Sequence, residues 1–166
     1  MGRWRPPGPK SSPYITPGGF EALQQELDNL WLRRRQVVMA LSEAAAEGDR
    51  SENAEYIYRK KELGGLDRRI HYLQKRLPVL NVVRDSHRGD AIYFGATVEL
   101  RDEAGDILTY RVVGPDETDA SSNAISMDSP LAKALLARRV DDEVVLNTGE
   151  KTTRLVVVSI RYELRA

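Results

Sequence analysis

The sequence predicts an α+β protein: a long antiparallel coiled-coil hairpin of helices, followed by a small antiparallel β-sheet domain that carries one helix. Three observations predict it. Two apolar series with the 3-4 rhythm of a coiled-coil seam run over residues 20–41 and 63–80. Their positions mirror one another around residue 50. After Pro78 the helical rhythm gives way to apolar or alternating runs of strand length.

In chain order, residues 1–13 hold four of the eight prolines and three basic side chains, a composition that buries no core and reads as a flexible arm. Residues 14–82 are assigned to the hairpin. Thr16-Pro17 has the form of an N-cap followed by proline at the first helical position. The first seam is Phe20, Leu23, Leu27, Leu30, Arg34, Val37 and Leu41, with one polar interruption; the second is Leu63, Leu66, Ile70, Leu73, Leu77 and Leu80. Paired positions such as 23 with 77, 27 with 73 and 30 with 70 add to 100, the register of a hairpin folded back at residue 50. Arms of this length, at about 1.5 Å per residue, make a rod on the order of 40 Å. Gly64-Gly65 breaks the pattern, since each glycine costs a helix about 1 kcal/mol relative to alanine; close packing or tolerated softness would account for it.

Residues 83–92 read as a linker and 93–166 as the C-terminal domain. Strands are expected at 97–101, 107–113, 143–147 and 153–162, with a hairpin turn at 103–106 and a short strand over 125–128. Ser129-Pro130 repeats the cap-plus-proline signal and opens a short helix that covers an apolar face.

Composition narrows the chemistry. With 41% hydrophobic and 30% charged residues the chain folds and stays soluble, and its apolar runs are too short to span a bilayer. The N-terminus lacks the apolar stretch of a secretory signal, so a cytoplasmic protein is expected. The absence of cysteine excludes disulfides, thiolate catalysis and thiolate zinc sites, and two histidines, His71 and His87, cannot alone build a metal site. Residues 1–90 hold 16 basic and 12 acidic side chains against 9 and 13 in the rest, which lets one half approach a polyanion. The overall charge of zero argues against a free-standing, high-affinity nucleic-acid binder.

Chemistry concentrates at the predicted turn, Glu47-Gly-Asp-Arg-Ser-Glu-Asn-Ala-Glu-Tyr56. Gly48 suits an exit from the first helix through a left-handed conformation. Asp49 then caps the second helix with Glu52 at its third position, a capping-box pattern. The same two carboxylates, one helical turn apart, also suit a hard cation such as Mg²⁺. Two acids are too few for a metal cage, so a partner and a phosphodiester would have to complete the site. Behind the tip, Arg33, Arg34, Arg35, Arg59, Lys60, Lys61, Arg68, Arg69, Lys75 and Arg76 form either a solvated charged face or a track for phosphates. Trp31, Tyr56, Tyr58 and Tyr72 offer stacking surfaces or ordinary packing.

These features, in this order, resemble the bacterial Gre transcript-cleavage factors. The resemblance runs from about Tyr14 to Tyr162 and rests on Gly48-Asp-Arg-Ser-Glu-Asn-Ala-Glu-Tyr56, Tyr93-Phe-Gly-Ala96, Val112-Val-Gly114 and Ile125-Ser-Met-Asp-Ser-Pro130. Leu30-Trp31, Tyr58-Arg-Lys-Lys61 and Asp67-Arg-Arg69 are more similar to the B branch, GreB, than to the A branch. The resemblance implies a C-terminal domain like the FK506-binding fold, docked at the rim of RNA polymerase's secondary channel through Asp128, Ser129 and Pro130. It implies that the rod enters the channel, where Asp49 and Glu52 help hold a catalytic Mg²⁺ and its water against backtracked RNA. Mg²⁺ would be shared with the polymerase and not bound tightly by the isolated protein. Arg33, Arg34, Arg59, Lys60, Lys61, Arg68 and Arg69 would face the extruded RNA 3′ segment. A monomer that is not itself an enzyme, with no membrane partner, is expected to stimulate the polymerase's own cleavage. The alternative is a channel-binding regulator or inhibitor without that stimulation, against which the presence of both tip acids argues. The arm is longer than the family needs, and the glycine pair is unusual in a rigid rod.

Overall fold

The computed structural model describes residues 8, 10–48, 53–84 and 89–163. The chain divides into two compact units, Gly18–Leu80 and the remainder.

The helical unit is built by α1 (Pro17–Ala46) and α2 (Ala54–Arg76), the latter running into a 3₁₀ turn at Leu77–Val79. At 1.5 Å per residue, the 30 residues of α1 extend roughly 45 Å. Leu23, Val37 and Ala44 on α1 and Ile70 and Leu73 on α2 are buried. The remaining seam positions, Arg34 among them, are half-buried, and the seam continues to the tip through Ala44, Tyr56 and Arg59.

Charge fixes the register that apolar residues leave open. Glu26 meets Arg69 through two bonds, at 2.6 and 2.9 Å, and Arg33 meets Glu62 at 2.6 Å. Arg34 reaches Asp67 at 2.6 Å. The first two pairs lie one heptad apart with their signs exchanged. Sliding one helix by seven residues would therefore set Glu26 against Glu62 or Arg33 against Arg69. Exposed pairs of this kind contribute well under about 1 kcal/mol each, so their effect is to penalise the slipped register.

The other unit contains a five-stranded sheet of order β5-β4-β3-β7-β6. Its strands are β3 (Ala96–Arg101), β4 (Ile107–Val113), β5 (Ala124–Ser126), β6 (Glu143–Asn147) and β7 (Thr152–Tyr162). The expected all-antiparallel sheet is corrected to a mixed one, because β5 pairs with β4 in parallel. The segment between them includes a 3₁₀ turn at Pro115–Glu117 and returns the chain alongside β4 instead of reversing it in a hairpin. A ten-residue link suffices because β5 pairs only with Arg111, Val112 and Val113, at the far end of β4. A register shift between Glu99 and Leu100 interrupts the β3–β7 ladder.

Alternation along β3 sends Ala96, Val98 and Leu100 inward, where they meet Val112, Val144, Leu155 and Val157. One face of this core is closed by α3 (Pro130–Leu135) through Ala132 and Leu135. As expected, Ser129 caps α3, accepting the Ala132 N–H at 3.2 Å, and Pro130 opens it.

Both segments that flank the helical hairpin in sequence belong to the sheet unit. β1 (Tyr14–Ile15) and β2 (Asn81–Val82) pair in parallel. The Asn81 and Val83 N–H groups donate to the carbonyls of Pro13 and Ile15 at 2.8 and 2.9 Å. The Glu117 carboxylate gathers three donors: Gly114 N–H at 2.8 Å, Thr16 N–H at 3.0 Å and the Thr16 hydroxyl. A Cβ at Gly114 would lie 2.0 Å from the Tyr14 carbonyl oxygen, so only glycine admits β1 this closely. Ile15 is fully buried, and the Tyr14 ring tilts against Phe94 with centroids 6.4 Å apart.

Candidate functional site

The first helix ends at Ala46, and Gly48 adopts a φ of +137°, the unusual backbone expected of the residue that leaves it. Asp49 and Glu52 lie outside the described residues. The second helix begins at Ala54, and its N-cap is Asn53. That corrects the capping assignment given to Asp49 and Glu52: the residue immediately before the first helical position is an asparagine, and asparagine is among the strongest caps. Asn53 Oδ1 accepts the Tyr56 N–H at 3.1 Å, and the Ile57 N–H donates to the Asn53 carbonyl at 3.1 Å to start the helical ladder. The Asn53 amide nitrogen also donates to the Ala44 carbonyl in the last turn of α1, at 2.8 Å. One side chain thus joins both helix ends.

Four of the seven basic candidates are engaged within the hairpin. Arg33, Arg34 and Arg69 hold acids of the opposite helix, and Arg59 holds Glu55 at 2.7 Å and Glu62 at 3.1 Å on its own. Glu62 lies between Arg33 and Arg59. The hydrogen bond from Arg33, opposed by partial burial and reinforced by Arg59, holds its carboxyl below the ordinary range. Hydrogen bonds to Glu55 first and then Glu62 raise Arg59 above its usual value. Lys60, Lys61 and Arg68 are exposed and, among the described residues, form no ion pair. Of the seven, these three are the cations most available to a phosphate; Arg35 on α1 is likewise exposed and forms no ion pair among the described residues.

The aromatic side chains divide similarly. Tyr56 is half-buried at a seam position, while Trp31, Tyr58 and Tyr72 are exposed with the guanidinium groups of Arg34, Arg59 and Arg69 over their rings at 5.9, 5.5 and 5.3 Å. Close packing does not explain Gly64-Gly65. A Cβ at either position would meet only the guanidinium of Arg68, at 3.5 and 3.8 Å. His71 is exposed on α2.

In the sheet unit, Asp128 accepts from the Ser12 N–H at 2.9 Å and from the Ser12 hydroxyl. Its own N–H donates to Ser126 Oγ at 3.0 Å. Asp128, Ser129 and Pro130 are therefore adjacent in a tight turn that opens α3, with Pro130 exposed. The Ser12 contact was not legible in the sequence, because it joins residues 116 apart. Among the described residues no group of three or more His, Asp or Glu could hold a metal ion, and no helix is long and apolar enough to cross a membrane.

Two family models together span the helical hairpin and the mixed-sheet unit. Residues 13–82 match the N-terminal model of GreA/GreB transcription elongation factors, and residues 86–162 match the C-terminal one. The chain belongs to the GreA/GreB family of transcription elongation factors. It is 57% identical over 165 residues to transcription elongation factor GreB of Xanthomonas axonopodis pv. citri, covering 98% of each chain. Against transcription elongation factor GreB of Pseudomonas aeruginosa it is 51% identical over 164 residues, again covering 98% of each. Among solved structures, GreA factor homolog 1 of Thermus thermophilus shares 30% identity over 89% of this chain and 97% of its own, with a TM-score of 0.42.

Proposed function

We propose that this chain is a transcript-cleavage factor: it binds bacterial RNA polymerase, places its helical hairpin in the secondary channel and stimulates the polymerase's own Mg²⁺-dependent cleavage of backtracked RNA, rescuing arrested complexes. The observation that carries this reading is the tip. Its sequence keeps both carboxylates, Asp49 and Glu52, while Asn53 provides the cap of α2.

Carboxylates are hard oxygen ligands that suit Mg²⁺, and two of them complete a site only when a partner supplies the rest. The ion, shared with the polymerase, supplies charge stabilisation and an activated water for phosphodiester hydrolysis. Asp49 and Glu52 would hold that ion and orient the water; the polymerase site would perform the chemistry, so the factor is not itself an enzyme. Lys60, Lys61 and Arg68 face the backtracked RNA 3′ segment, joined by Arg33, Arg34, Arg59 and Arg69 to the extent that their carboxylate partners leave donors free. The C-terminal unit, taken as a relative of the FK506-binding fold, docks on polymerase through the turn at Asp128, Ser129 and Pro130. The factor acts as a monomer.

A defined backtracked complex, incubated with Mg²⁺ and with or without the full chain, tests this reading. Faster release of a short RNA 3′ fragment is expected. Polymerase association without RNA shortening would instead mark a channel-binding regulator.

A further inference from the structure

We infer that Asn53 is the positioning residue for the acidic tip, an inference that rests on the cleavage reading above. A single primary amide links two helix ends of opposite character. Its oxygen accepts the Tyr56 N–H, one of the orphan donors at the start of α2, and its nitrogen donates to the carbonyl of Ala44 in the last turn of α1. Ala44 is 3% exposed, so its carbonyl belongs to a firmly packed part of α1. The bond to Ala44 ties residue 53 back to residue 44, and the intervening sequence contains both acids.

The surroundings place this duty on Asn53. Toward the turn the second seam offers Tyr56 and Arg59 where the base offers leucines, so apolar packing holds the helix ends least where the acids are carried. Among the best N-capping side chains only asparagine carries its acceptor and its donor on separate atoms, so that one faces α2 while the other reaches Ala44; a serine hydroxyl offers both from a single oxygen on a shorter side chain. Aspartate keeps the cap and loses the donor; serine keeps the cap, adds no charge and lacks the amide. In both variants α2 remains capped while the tie to Ala44 is lost. Catalytic groups tolerate little displacement, a shift of about 1 Å costing as much as ~10²-fold in rate.

The experiment uses the full chain with Asn53→Ser and Asn53→Asp, titrated against backtracked polymerase complexes, with circular dichroism to verify helix content. Unchanged helix content and an unchanged half-saturating concentration are expected, with the saturating cleavage rate lowered about tenfold or more in both variants. A wild-type saturating rate in either variant overturns the inference, because it shows the donor to be dispensable. A raised half-saturating concentration at full maximal rate also overturns it, since that marks a docking effect. Asp49→Asn is measured in parallel. Loss of stimulation there, with both Asn53 variants intact, sinks only the positioning role; full stimulation by Asp49→Asn contradicts the assignment of that carboxylate, and absence of stimulation by the wild-type chain sinks the cleavage reading itself.

Discussion

Replacing Gly114 with alanine tests how the chain segments flanking the hairpin are fastened to the sheet unit. The backbone there is ordinary, with φ −70° and ψ 160°, so alanine meets no conformational strain and the whole cost is steric. The new Cβ would lie 2.0 Å from the Tyr14 carbonyl oxygen and 3.1 Å from its carbon. Relaxed C···O contacts begin near roughly 3.3 Å, so β1 must retreat by more than about 1 Å. That movement strains the bonds from Asn81 and Val83 to Pro13 and Ile15, and the bonds from Thr16 to Glu117. Losing two or three hydrogen bonds costs about 1 kcal/mol each. Partial exposure of Ile15, fully buried in the native structure, adds a share of the ~1.5–3 kcal/mol its burial is worth. The reduced entropy of the unfolded chain returns about 0.4–1 kcal/mol. The net destabilisation is on the order of 2–4 kcal/mol, read by denaturant unfolding together with hydrogen exchange at the Asn81 and Val83 amides. An unfolding midpoint equal to wild type, with both amides equally protected, would refute the close-approach argument.

Other substitutions probe different parts of the molecule. Gly64→Ala and Gly65→Ala should do the opposite of Gly114→Ala and stabilise the hairpin by about 1 kcal/mol each, because the added methyl meets only the movable end of Arg68; a thermal melt showing destabilisation would reveal a packing role. Glu62 is stabilised in its ionised form, so its contribution is present above the ordinary carboxylate pKa of about 4.3 and is lost as the pH falls through its lowered value. Glu62→Gln should accordingly weaken helix stability at neutral pH and flatten its decline in acid, followed by circular dichroism; an acid limb identical to wild type would remove Glu62 from the account. Ser12→Ala should increase hydrogen exchange at the Tyr14 and Ile15 amides and leave α3 intact, since Ser129 caps that helix independently; unaltered exchange would show the Asp128 contact to be dispensable.

The helical unit was largely legible because its information is local. Leucines at alternating steps of three and four define a seam, and its mirror symmetry defines a hairpin. Strands β3, β4, β6 and β7 and the Ser129 cap were equally readable from apolar runs and turn chemistry. The cap of α2 was misassigned because two capping patterns overlap at the tip. Asp49 with Glu52 makes the more conspicuous capping box, yet Asn53 stands immediately before Ala54, and an asparagine in front of Ala-Glu was itself a usable signal. The parallel β4–β5 pair, the three donors gathered by Glu117 and the approach of Tyr14 to Gly114 depend on residues brought together over long separations, which no local pattern encodes. The basic positions were visible as charges, but which of them are engaged by Glu26, Glu62 and Asp67 emerges only from the helix pairing.

The most direct test of the central claim is the saturating rate of RNA cleavage by a defined backtracked polymerase complex in the presence of Asp49→Asn or Glu52→Gln, with polymerase binding measured in the same samples. Retained binding with stimulation lowered by at least about tenfold is predicted, the scale on which transition-state groups contribute. Full stimulation by both variants, with binding verified, would contradict the assignment of these carboxylates to a shared Mg²⁺ site.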